Sequence, residues 1–156
     1  MSVLISAFVL GVACGLRAIV GLAAISWAAN SKQLPLGGTW LAFLGNRFAP
    51  YIASLLALGE MVNDKLPKTP SRLVPPQFGA RVVMGALTGT AIGLSHGQLI
   101  FGILGGVFGS VVGTLAGAKA RGFAAKLFGR DLPAALLEDV LAVALAVVAI
   151  VTLRQG

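Results

Sequence analysis

Residues 98–118 read QLIFGILGGVFGSVVGTLAGA, without one charged side chain. A bilayer core of roughly 30 Å takes about 20 helical residues to cross, so this stretch predicts a transmembrane helix. Within it Gly105, Gly109, Gly113 and Gly117 recur at every fourth position. Residues four apart share a helix face, so the four glycines make a groove free of side chains, where another backbone can come close. Only Ser95, His96 and Gly97 separate it from a second apolar stretch, 78–94, with Gly85, Gly89, Gly93 and Gly97 at the same spacing. The two predict a tight helical hairpin, and Gly11 and Gly15 offer a shorter groove near the N-terminus.

Further apolar stretches lie at 3–29, 48–63 and 134–153, giving five predicted spans in one domain, 1–156. The fold class is therefore all-α, a polytopic transmembrane bundle with glycine-mediated packing. Composition agrees. The 156 residues are 57% hydrophobic and 11% charged, with mean hydropathy +0.92, whereas soluble domains carry about 25% charge. That excludes most soluble enzyme classes. The first stretch would reach about 40 Å as one helix, so it must tilt, or break near Gly15 or Gly21. It is not read as a signal peptide, because no positive residue precedes its apolar run and Arg17 interrupts it. Residues 34–45 are too short to span and read as an interfacial or re-entrant element. Trp27, Trp40 and Tyr51 match an interfacial aromatic belt.

The chain carries +7 at pH 7. Its bases sit between apolar runs rather than along one polar face, which points to a lipid bilayer as partner and away from nucleic acid. Lys65, Lys68, Arg72 and Arg81 flank one loop and Lys119, Arg121, Lys126 and Arg130 another; Lys32, Arg47 and Arg154 lie opposite. With five spans, the positive-inside rule puts the N-terminus in the cytoplasm and the C-terminus outside. One cysteine (Cys14) and one histidine (His96, in the tight turn) leave no metal site of the usual kind, and no cofactor is expected. Residues 9–18 also align without gaps on 111–120, each with Gly-xxx-Gly followed by a base. An odd number of crossings between the copies would make this an inverted repeat, as in transporters.

Five residues form the candidate polar site. Arg17 interrupts an apolar run, at a cost of about 3 kcal/mol for an arginine within a span, so it needs a carboxylate, helix-end carbonyls or a wet cavity. Glu60 and Asp64 lie four apart at the end of the second span, and Glu138 and Asp139 near the start of the fifth. They read either as a charge-paired cytoplasmic collar or as a proton- or cation-responsive site. Paired carboxylates also suit acid–base hydrolysis, but no nucleophile, metal cluster or phosphate loop accompanies them, so no enzyme is expected.

The run Leu58-Gly59-Glu60-Met61-Val62-Asn63-Asp64-Lys65-Leu66-Pro67, with Gly15-Leu16-Arg17 upstream and 75–81 (PPQFGAR) downstream, resembles the domain of unknown function 4126 family of small bacterial membrane proteins. Asp131-Leu132-Pro133 through Glu138-Asp139 fits the same family. One departure is Ile19-Val20-Gly21, where many relatives place a proline soon after the arginine. The resemblance implies an integral location in the bacterial inner membrane and supplies no activity. Residue chemistry points first to a small transporter or channel-like protein for an unsettled ion or small solute. The alternative is a non-transporting scaffold or partner-binding subunit using the glycine faces. A homo-oligomer through those faces is open to either.

Overall fold

The structure, a computed structural model, describes residues 2–154. Among them are six α-helices: α1 (Val3–Leu16), α2 (Ala18–Asn30), α3 (Ala49–Asn63), α4 (Pro75–Ser95), α5 (Leu99–Phe128) and α6 (Asp131–Arg154), with a 3₁₀ turn at Ala42–Gly45. Local chemistry sets several ends. The Ser2 hydroxyl accepts from Ile5 N at 3.4 Å and caps α1. Pro75 and Pro76 open α4, where a missing N–H costs nothing. Gly97 and Gly129, both at φ 67°, supply the left-handed residues that end α4 and α5. In α6 Asp131 sits in the first turn and Arg154 in the last, each suiting the helix dipole.

The first apolar stretch is two helices rather than one span. Arg17 leaves helical geometry at φ −141°, ψ 110°, between α1 and α2. From there α2 folds back along α1, so that a β-carbon on Gly21 would meet Leu10 Cγ at 3.7 Å. Alternating directions then follow for the rest of the chain. Glu60 of α3 bonds the start of α2, while Ser54 accepts from Trp27 Nε1 at 3.0 Å near its end. α4 and α5 form the expected hairpin, with Gly85 against Gly106 and Gly89 against Gly102. α6 returns beside α2, where Val147 and Val151 line a groove with Trp27 and Ala28.

Three sequence expectations change here. α1 and α5 run parallel: Leu4, Phe8, Val12 and Leu16 meet Gly105, Gly109, Gly113 and Gly117 in the same order. The copies at 9–18 and 111–120 are therefore parallel neighbours, not an inverted repeat, because the turn at Arg17 adds a reversal that hydropathy cannot register. For the same reason the chain reverses five times rather than four. Both ends of the described chain then lie at the α4–α5 turn, opposite the basic loops, so the N-terminus and those loops do not share a side. The third difference is length. α5 continues ten residues past Ala118 to Phe128, since Ala, Lys, Arg and Leu favour helix whether or not they are apolar.

α4, α5 and α6 are long and apolar enough to cross a membrane; α1 and α2 are apolar but shorter. Packing fits lipid as solvent. The interior is rich in alanine and glycine (Ala7, Ala13, Ala91, Ala135, Ala142 and Ala149 are fully buried), while Leu55, Ile100, Phe108 and Val140 face outward. With lipid outside, small residues that let backbones approach hold helices together better than large ones. Gly11, Gly15, Gly85, Gly89, Gly93, Gly105, Gly109, Gly113 and Gly117 each lie where a β-carbon would press on another part of the same chain. At Gly15 it would come 2.5 Å from Ser110 O, and at Gly93 2.8 Å from Leu99 Cα. These grooves are filled from within the protomer.

Residues 34–45 fold over the end of the bundle beside α2, burying Leu34, Leu36, Leu41 and Leu44. Trp27 and Tyr51 meet edge-on, ring centroids 5.2 Å apart, and Trp40 is exposed. The His96 imidazole stays within its turn, Nδ1 2.8 Å from Ser95 Oγ and 3.1 Å from Ile92 O.

Candidate functional site

A helix end leaves backbone groups without intrahelical partners, and the break at Arg17 places two such ends side by side inside the bundle. Each is satisfied by a charged side chain from another helix. Arg81 of α4 donates from Nη1 to Gly15 O at 2.9 Å and Leu16 O at 2.7 Å, closing the carbonyl end of α1. The Glu60 carboxylate of α3 accepts Ala18 N at 2.8 Å and Ile19 N at 2.9 Å, closing the amide start of α2. Both signs match the partial charges of the helix ends they meet. Thr114 of α5 adds a hydroxyl donation to Gly15 O at 3.3 Å.

The Arg17 side chain, with no solvent exposure, lies against α6 and the end of α3. Its Nε donates to Asp139 Oδ1 at 2.6 Å, and its Nη1 to Asp64 Oδ2 at 2.7 Å and to Leu16 O at 3.2 Å. Its Nη2 has no hydrogen-bond partner among the described residues and sits 3.7 Å from Glu138 Oε2. Each of those acids holds a second base. Lys65 pairs with Asp139, Arg72 forms a two-pronged pair with Glu138, and Arg121 pairs with Asp64. Arg121 also reaches Asp131, from Nη2 at 2.6 Å and Nε at 3.0 Å. Arg81 Nη2 lies 3.9 Å from Glu60 Oε1.

The network thus joins Arg17, Lys65, Arg72, Arg81 and Arg121 to Glu60, Asp64, Asp131, Glu138 and Asp139, five charges of each sign. These are all the acids in the chain, and as a unit they are neutral. Two-pronged guanidinium–carboxylate pairs are directional as well as strong, and the two present, Arg72–Glu138 and Arg121–Asp131, tie the loop before α4 and α5 itself to α6. On one side the network opens to a cavity of about 310 Å³ lined by Asp64, Ser71, Arg72, Arg121 and Asp131. At its edge Asp64, just past the end of α3, is partly buried, and burial alone would raise its pKa. Arg17 and Arg121 outweigh that and hold the carboxyl below its ordinary value of 3.8.

Asp64, Glu138 and Asp139, up to 122 positions from Arg17 in the chain, pair with it directly, and Glu60 meets them through the Ala18 and Ile19 amides beside Arg17. Arg72, Arg81 and Arg121 are members that loop-charge counting alone does not single out. Arg81 carried a signal in the sequence, since it lies within the apolar stretch 78–94, and the structure buries it. Arg72 and Arg121 carried none, because nothing local separates an arginine that turns inward from one that meets water.

The family model described as Domain of unknown function (DUF4126) matches residues 4–152. No curated protein and no solved structure matches the chain. The matched span contains the broken first hairpin and every member of the charged network, and the chain belongs to the domain of unknown function 4126 family.

Proposed function

We propose that this chain is a multi-pass protein of the bacterial inner membrane that moves a small ion or solute through the charged network at the α1–α2 break. The observation that carries this reading is the break itself, where two helix ends meet inside an apolar bundle beside an open polar cavity. Interrupted helices whose ends face charge are a recurring device of secondary transporters, where irregular backbone is tolerated because it borders a cavity. Orientation follows from charge. Lys68, Lys119, Lys126 and Arg130 are exposed at the network end, which argues for that end in the cytoplasm and both ends of the described chain outside.

A second reading, a partner-binding or scaffold subunit, draws on the exact balance of five acids and five bases, which suits a fixed clamp. Its docking surface would be the outer faces of large residues, since the glycine grooves are filled by the chain's own helices. Purified protein in liposomes tests the two. Glu60→Gln and Arg121→Gln, each checked for unchanged helix content, should change flux of at least one ion or small solute tenfold or more. Transport is refuted if a broad panel shows no protein-dependent flux, or if flux is indifferent to both variants. A stoichiometric partner co-purifying with a flux-silent protein would support the clamp.

A further inference from the structure

We propose that the outward face of the α5 overhang, with Arg130 just beyond it, binds the headgroups of anionic phospholipids. Two independent observations meet there. The first is charge accounting. Every acid in the chain is already engaged: Glu60 with Arg81 and two amides, Asp64 with Arg17 and Arg121, Asp131 with Arg121, Glu138 with Arg72, and Asp139 with Arg17 and Lys65. The net +7 of the chain therefore resides wholly on the seven bases outside the network. Lys119, Lys126 and Arg130 are three of these, all exposed, and their counter-charge has to come from outside the chain.

The second is the shape of the helix. At 30 residues, α5 is about 45 Å long, roughly 15 Å more than a hydrocarbon core. Its last turns project at the network end. There Arg121 points inward to Asp64 and Asp131, while Lys119, Phe123, Lys126 and Leu127, at i, i+4, i+7 and i+8, share the opposite face. Phe123 is 71% exposed and Leu127 70%. Bases interleaved with large apolar side chains on one helical face are the composition that lies at a headgroup boundary: the apolar groups enter the acyl edge and the bases hold phosphate. A zwitterionic headgroup brings its own ammonium, so an anionic one is preferred.

This rests on the membrane reading above and not on transport. Near an anionic surface each base is worth about a fivefold gain in affinity, so three together are worth about a hundredfold. The full chain in neutral detergent is titrated with phosphatidylglycerol or phosphatidylcholine of identical chains, and binding is counted by native mass spectrometry. Phosphatidylglycerol should bind about a hundredfold tighter. K119Q/K126Q/R130Q should remove about a hundredfold of that affinity and leave phosphatidylcholine unchanged. K32Q/R47Q/R154Q, the same charge loss at the other end, should remove less than a tenth of that effect. Equal binding of the two lipids, or equal loss in the two triple variants, overturns the proposal. So does competition by soluble glycerol phosphate as effective as the lipid itself, which would leave Phe123 and Leu127 without a part. Flux does not enter, so this can fail while transport stands, and the reverse.

Discussion

Arg17→Met is the most informative single perturbation. It keeps much of the side-chain volume and removes the guanidinium at the centre of the network. Lost with it are the hydrogen bonds to Asp139 at 2.6 Å and Asp64 at 2.7 Å, and the pairing with Glu138 at 3.7 Å. Removing one member of a buried ion pair costs about 3–5 kcal/mol, because the opposite charge is left behind. Here each abandoned acid keeps another base (Lys65, Arg121 and Arg72 respectively), which places the cost near the low end, about 3 kcal/mol. Asp139→Asn leaves Arg17 with Asp64 and Lys65 with Met61 O, and should cost about 2 kcal/mol. The double variant restores neutrality, so it should cost about 3 kcal/mol rather than 5, a coupling of about 2 kcal/mol. Denaturant titration in mild detergent, followed by far-ultraviolet circular dichroism and tryptophan fluorescence, measures all three. Additivity within about 0.5 kcal/mol, or a loss below about 1 kcal/mol for Arg17→Met, would refute a central role for Arg17.

Acid should weaken the fold through Asp64, whose pKa lies below 3.8 in the folded state. A group depressed in this way contributes stability above its unfolded pKa and loses it as pH falls through the folded one. Unfolding free energy should hold level to about pH 5 and fall below about pH 4, with Asp64→Asn removing part of the acid-side slope; an unchanged slope contradicts the pairing. Gly106→Ala places a β-carbon against the Gly85 carbonyl and 3.0 Å from Gly89 Cα, and should cost about 2–3 kcal/mol. Gly59→Ala in α3 meets open space and should stabilise by about 0.5–1 kcal/mol; equal effects at the two sites would discredit the close approach of α4 and α5. Cysteines replacing Ser2 and Arg154 should react with an impermeant maleimide from the same face of the cell membrane, and one replacing Lys126 from the other. Labelling of Ser2 and Arg154 from opposite faces would restore a five-span order.

Span chemistry was readable because it is local and summed over many residues. The hairpin at 95–97 and the four-residue glycine rhythm each depend only on neighbours in the chain. A break was readable from the length of 3–29, and one falls at Arg17, two residues past Gly15, but the full reversal of direction there was not. Leu16 and Ala18 are as helix-compatible as what surrounds them, and the turn is held by Arg81 and Glu60 from distant helices. Hydropathy sees 3–29 as one apolar run, so the expected directions of every later element relative to the N-terminus shifted by one. The site fared differently. Acids in an apolar chain are so scarce that naming Glu60, Asp64, Glu138 and Asp139 came close to naming all of them. Which bases they meet depends on helix rotation, and no pattern in the loops distinguishes Arg121 from Lys119.

The network also has a schedule written into the order of the chain. Arg17 emerges in the first hairpin, yet Asp139 follows 122 residues later. Before α6 is synthesised, the five bases of the network are all present and face only Glu60 and Asp64. The first helix likewise waits for α5 before anything occupies the groove of Gly11 and Gly15. The chain up to α5 is therefore an incomplete, positively charged intermediate, and the last helix brings the three acids that neutralise it. A chain ending before Asp131 would keep the Glu60–Arg81 and Asp64–Arg17 pairs yet set five network bases against two acids, so α6 is the element that closes the network.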